Sequence, residues 1–185
     1  MTIFQKLFWL KQMGVHHLCA EVPHALGIPG TKPVGKIKSL AELDKKLTSS
    51  KSALSATATH PVGGIGVVPA QVMCVLEMPT ATEDRTGVAL SGEEGELLKK
   101  MLAAVGLSVQ TQTYVGYLSP WRAPGARVLT HVETQEGLAL LKERIQAVHP
   151  EVLLLLGLPV VQALLVEQLE VFMADMGSGV VGEIP

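Results

Sequence analysis

The sequence predicts an α/β protein: three layers, α/β/α, around a central parallel sheet. Three observations point there. The apolar runs 72–76 and 152–156 and the segment 112–118, with Tyr114 and Val115, have strand length, and the continuous run 152–156 is what a parallel strand buried on both faces shows. Longer segments with apolar residues at helical spacing separate these runs, so each strand is followed by a helix. Apolar residues make up 48% of the 185, enough for a substantial core and too many for a disordered chain.

Taken in order, residues 3–13 form an amphipathic pattern with Phe4, Leu7, Phe8 and Leu10 on or near one face. Residues 14–35 are rich in proline and glycine and read mostly as loop. Ser39 and Glu42 have capping-box spacing, which predicts a short helix to about Leu47. Residues 48–70, rich in Ser, Thr, Ala and Gly, read as loop. The first strand, 72–76, leads to Glu77 and is stopped by Pro79, which has no N–H to donate. An acidic, glycine-containing loop over 80–92 follows, then a helix over 93–105 with Gly106 as its C-terminal stop.

The second strand, 112–118, runs into a proline- and glycine-stiffened loop, 119–127. A helix over about 132–147 places Leu138, Leu141, Ile145 and Val148 on one face, and His149-Pro150 ends it. After the third strand, Gly157 turns the chain and Pro159 suits the first turn of a last helix to about Phe172. We divide the chain into an N-terminal helical segment with loops, 1–50, and an α/β domain, 51–185, forming one compact unit.

A net charge of −2 provides no global field for nucleic acid, so any DNA binding needs a local basic patch. Cys19 and Cys74 are too few for a thiolate cage, and a reduced cytoplasmic setting is expected. Lys6 and Lys11 interrupt the N-terminal apolar pattern, unlike a signal peptide. The run 152–166 contains Pro159 and is too short to span a bilayer, so no membrane association is expected. His16-His17-x-Cys19 is a metal-like group without a second cluster of ligands at a usual spacing, and no metal site is expected. His60-Pro61 and His149-Pro150 read as turns.

Ligands in open α/β sheets bind outside the carboxyl ends of the strands, which places the candidate site at Glu77 and the loop after it. That stretch carries Glu77, Pro79, Glu83-Asp84-Arg85, Gly87, Gly92, Gly95 and Leu97-Leu98 in ungapped spacing. Downstream, Ser119-Pro120-Trp121-Arg122-Ala123-Pro124-Gly125-Ala126-Arg127 forms a second marked loop. Both resemble motif regions of the uracil-DNA glycosylase superfamily, in its bacterial iron–sulfur branch and the alphaproteobacterial variant of it. The resemblance covers most of residues 3–170 and implies a uracil-DNA glycosylase-like fold and the base-excision DNA repair lineage.

It also implies roles. Glu77 would orient the attacking water, as the catalytic carboxylate. Pro79, Thr80, Leu90 and Tyr117 would line the substrate pocket. From the residues themselves, Arg122 and Arg127 flank a proline-glycine loop and are candidate DNA contacts, with Trp121 stacking on a base; the alternative is a structural loop with Trp121 packed in. The chain departs from the family pattern at several of these positions. The stacking Phe is Leu90, which has no π-face. The uracil-reading Asn is Tyr117, which cannot make an amide's paired donor–acceptor contact. The anion-stabilising His of a downstream motif has no counterpart after Val166. The cluster cysteines of the branch fall at Trp121, at Gly137 and near Ser52, so no iron–sulfur cluster and no other cofactor is expected. Three readings follow: a glycosylase with an altered pocket, a non-catalytic relative that binds DNA or a protein partner, or a decayed paralogue.

Overall fold

The computed structural model describes residues 39–50 and 52–164, together with the backbone of 19–21. The expected helix over 3–13, the His16-His17 pair, most of the 14–35 loop, and the last helix beyond residue 164 lie outside the described residues.

Strands β1 (Cys19–Glu21), β2 (Ile65–Gly66), β3 (Val72–Leu76), β4 (Thr113–Tyr117) and β5 (Val152–Leu155) form one sheet in the order β1-β5-β3-β4-β2. The three expected strands are its centre: β3 pairs in parallel with β4 on one side and β5 on the other. Both edges differ from expectation. β1 and β2 pair antiparallel with β5 and β4, so the sheet is mixed rather than wholly parallel. Pairings of three and two residues are too short to leave a periodic signature, which is why 14–35 and 48–70 read as loop.

Helices α1 (Leu40–Ser49), α2 (Ala81–Thr86), α3 (Glu93–Ala104) and α4 (His131–Val148) are joined by a further helix, α5, described over 158–164. As the spacing predicts, Ser39 caps α1: its hydroxyl accepts the Glu42 N–H while the Glu42 carboxylate accepts the Ser39 N–H. Side chains alternate across β3. Met73 and Val75 join Leu47 of α1 and Leu138, Leu141, Ile145 and Val148 of α4 in one core cluster. Val72 and Cys74 join Leu98 and Leu102 of α3 in another on the opposite face. Each fully buried aliphatic side chain contributes about 1.5–3 kcal/mol. The unbroken apolar run in β3 is therefore the condition for a sheet covered on both faces.

One glycine sets the seat of α4 on the sheet. A Cβ on Gly137 would collide with the carbonyl oxygen of Leu118, just past the end of β4. Only the bare backbone lets the helix approach the strand end this closely.

Candidate functional site

The pairing of β3 and β4 continues past the strands: Leu118 N–H donates to Leu76 O at 2.7 Å and Ser119 N–H to Glu77 O at 2.9 Å. Glu77 is thereby held at the carboxyl edge of the sheet, beside the start of the 119–127 loop, where fold logic puts a ligand. Its side chain is half-buried, and loss of hydration raises its carboxyl above the usual range. Pro79 is buried, and its carbonyl accepts a hydrogen bond from Arg122 Nη1 at 2.8 Å, joining the two loops.

The expected 80–92 loop is not all loop. Residues Ala81–Thr86 form α2, with Thr80 as N-cap and Gly87 closing it in the left-handed region at φ 70°. The Thr80 hydroxyl accepts the Glu83 N–H at 3.3 Å, and Glu83 Oε2 accepts the Thr80 N–H at 2.7 Å. The T-x-x-E spacing of 80–83 is the same signal that marks α1, so this helix was legible in the sequence. Thr80 is thus a capping residue.

Glu83 is the residue that the sequence reading left out of the site. It is 2% exposed. Its Oε1 accepts two further hydrogen bonds, from Leu90 N–H at 2.6 Å and from the Tyr117 hydroxyl at 2.7 Å. Leu90 is buried at φ 56°, a left-handed conformation that costs a non-glycine residue energy and persists only where the surroundings impose it. The Glu83 carboxylate on one side imposes it. On the other side is Gly95, where an added Cβ would lie 2.5 Å from Leu90 Cα.

Tyr117 packs with Val62, Ala89 and Leu76 in a small cluster of its own at the carboxyl ends of β3 and β4. Burial, and then the hydrogen bond to Glu83, push its phenol well above the usual range. Glu83 therefore connects three of the expected pocket positions, Thr80, Leu90 and Tyr117, and it does so inside a packed region.

The expected DNA-contact residues separate. Trp121 is not displayed for stacking: it is 2% exposed in the main core cluster, with its backbone N–H and carbonyl both bonded to the Ser119 hydroxyl. Its indole is one of the large apolar surfaces in the core cluster that includes Leu138 and Leu141 of α4. Arg127 is exposed but engaged: Nη1 and Nη2 donate to Glu133 Oε2 and Oε1 at 2.8 and 2.7 Å. Glu133 is itself the capping-box partner of Thr130 at the start of α4. Arg122 is half-buried beside Pro79.

Among the described residues no group of three or more His, Cys, Asp or Glu converges as a metal site. Among them, too, no helix is long and apolar enough to cross a membrane.

A mixed sheet with a parallel centre, with Glu77 and the marked loops at its carboxyl edge, makes this an α/β protein whose candidate ligand site lies at that edge. Comparison with known proteins gives the family: the uracil DNA glycosylase superfamily model matches residues 64–182, and the chain belongs to that superfamily. It is similar to the type-4 uracil-DNA glycosylase of Archaeoglobus fulgidus, with 30% identity over 122 residues that cover 65% of this chain and 61% of that protein. The chain thus spans less than two thirds of that relative's length.

Proposed function

We propose that this chain is a member of the base-excision repair lineage that does not excise uracil, a non-catalytic relative of the glycosylases. One observation carries the reading. Glu83 Oε1 binds both the Leu90 amide and the Tyr117 hydroxyl, so the two positions assigned by resemblance to stacking and reading the base are packed against each other's partner. Flipping a base out of DNA costs a few kcal/mol, which a pocket must return in stacking and edge contacts. Leucine offers no π-face and a hydrogen-bonded tyrosine no amide edge, so neither return is available.

No iron–sulfur cluster forms part of this reading. Two of the positions assigned to its ligands are the buried Trp121 and Gly137, and the latter packs too tightly on Leu118 O to accept a side chain. DNA is the proposed partner class, on the family's account, with Arg122 the candidate contact at the carboxyl edge.

The test is incubation of purified protein with uracil-containing single- and double-stranded DNA, followed by alkali. Intact strands at high protein concentration are expected. Strand breaks that disappear in Glu77→Gln would overturn the reading. They would establish the second one, an active glycosylase with an altered pocket, for which the raised carboxyl of Glu77 at the strand end is the favouring observation.

A further inference from the structure

We propose that the carboxyl edge of the sheet is a docking surface for this chain's own N-terminal segment, residues 3–13, with Lys11 on the Glu77 carboxylate and the segment's apolar stripe on Leu158 and Val132. Docked there, the segment covers the candidate site, so any ligand of that edge competes with it. The inference is independent of the proposed function: it concerns what covers the edge, not what the edge does to DNA.

The direction of β1 leads there. β1 runs antiparallel to β5, and Cys19, Leu154 of β5 and Cys74 of β3 stand at one level across the sheet. The chain therefore enters β1 from the side on which β3, β4 and β5 end. Glu77 lies two strands across from Cys19 and three residues further towards that edge, about 14 Å away at ordinary strand spacing and rise. Residues 13–18, which join the segment to β1, span up to about 20 Å when extended, enough to cover that distance.

The edge and the segment are complementary. Leu158 at the start of α5 and Val132 and Val128 at the start of α4 are 59%, 65% and 76% exposed. Both helices start at the carboxyl edge and pack on the same face of the sheet. Large apolar side chains exposed along one edge form a surface for an apolar partner. Beside them Glu77 is half-buried, and its carboxylate has no hydrogen bond or ion pair among the described residues. The segment offers a match for both features. Phe4, Leu7, Phe8 and Lys11 follow one another at i, i+3, i+4 and i+7, which is one helical face. A lysine in an apolar stripe is costly against a wholly apolar surface. Against a surface that carries a carboxylate it lays down its stem and pairs its ammonium.

The test is zero-length carbodiimide coupling on the full chain, followed by isolation of the monomer and peptide mass spectrometry. The reagent joins a lysine to a carboxylate only where the two touch. We expect an amide link between Lys11 and Glu77 in the monomer. Leu7→Asp/Phe8→Asp and, separately, Leu158→Asp keep both linked residues and remove the apolar contact. The yield of the link should fall about tenfold in each, the factor that burial of one leucine supplies. The two variants alter opposite sides of the contact, so if one fails to fold the other decides. Absence of the link in the wild-type protein would overturn the inference, because the segment would then lie elsewhere. An unchanged yield in the folded variants would overturn it too, as the mark of a tethered chain in random collision. A link found only between copies, read from mixed isotope-labelled and unlabelled protein, would overturn it and make the edge an interface between two chains. Uracil excision by the wild-type protein would defeat the proposed function and leave this inference standing.

Discussion

Arg127 and Glu133 form a two-pronged ion pair, 2.8 and 2.7 Å, at the first turn of α4, and Glu133 is buried while Arg127 is not. An arginine that reads in sequence as a phosphate contact is here occupied in anchoring a loop to a helix. The same carboxylate closes a capping box with Thr130, so one glutamate satisfies both the arginine and the helix start.

This pair predicts a pH dependence. The Arg127 bonds first, and the Thr130 amide next, hold the Glu133 carboxyl down at about 2. An unfolded glutamate titrates near ~4.3. A folded pKa below the unfolded one means that the carboxylate stabilises the native state at neutral pH. That contribution is lost as pH falls from about 5 towards 2. Glu133→Gln should therefore be less stable than wild type at pH 7, because it loses the charge that Arg127 meets, though its amide oxygen can still accept the Thr130 N–H. The two proteins should converge on acidification. Thermal melts at pH 7, 5, 4 and 3 check this; a gap that stays constant or widens would contradict it.

Tyr117→Phe removes a single hydroxyl from a site that is 4% exposed. The ring packing survives, and Glu83 Oε1 keeps only the Leu90 amide. Hydrogen bonds to charged groups contribute roughly 1.5–3 kcal/mol, and urea unfolding should show a loss in that range. A loss below about 0.5 kcal/mol would mean that water replaces the hydroxyl and that the packing around Tyr117 is looser than its 4% exposure implies.

Gly95→Ala tests the backbone contact behind Leu90. The added Cβ would lie 2.5–2.7 Å from the Leu90 Cα, carbonyl carbon and carbonyl oxygen, all of them backbone atoms that cannot rotate away. In an ordinary helix this exchange stabilises by up to about 1 kcal/mol. Here overpacking, typically about 1–3 kcal/mol, has the opposite sign and outweighs it. A lowered melting temperature is expected, with faster amide exchange at Leu90. An unchanged or higher melting temperature would show that α3 is not seated on the 80–92 segment.

Arg144→Met addresses the opposite face of the sheet. Arg144 is 5% exposed, and it donates to the Tyr114 hydroxyl at 2.7 Å and to Asp44 at 2.8 Å. Asp44 has a side chain 54% exposed and can return to water. The cost therefore comes from Tyr114, buried at 2% and left without its donor, at about 1–3 kcal/mol and not the larger penalty of a stranded buried charge. Asp44→Asn should be nearly neutral, within about 0.5 kcal/mol, and comparing the two variants by denaturant unfolding separates the contributions.

The sequence by itself determined the parallel centre of the sheet and the layers on both sides of it. Continuous apolar runs can be satisfied only by burial on both faces, and the intervening helices carry their periodicity and caps in local residue order. It also determined the placing of Glu77, because Pro79 ends the strand wherever the strand is. The helix Ala81–Thr86 was within reach too, through Thr80 and Glu83, although glycine and charge made that segment look like loop. Only the tertiary structure decided the rest. The antiparallel edges depend on which distant backbone lies alongside β5 and β4, and pairings of two or three residues leave no pattern to read. Whether Trp121 faces solvent or core, whether Arg127 is free, and that Tyr117 meets Glu83 across 34 residues of chain are long-range facts. A side chain's partner there is chosen by the folding of segments that do not adjoin it. Residue type limits what Tyr117 can do; the position of the Glu83 carboxylate settles what it does.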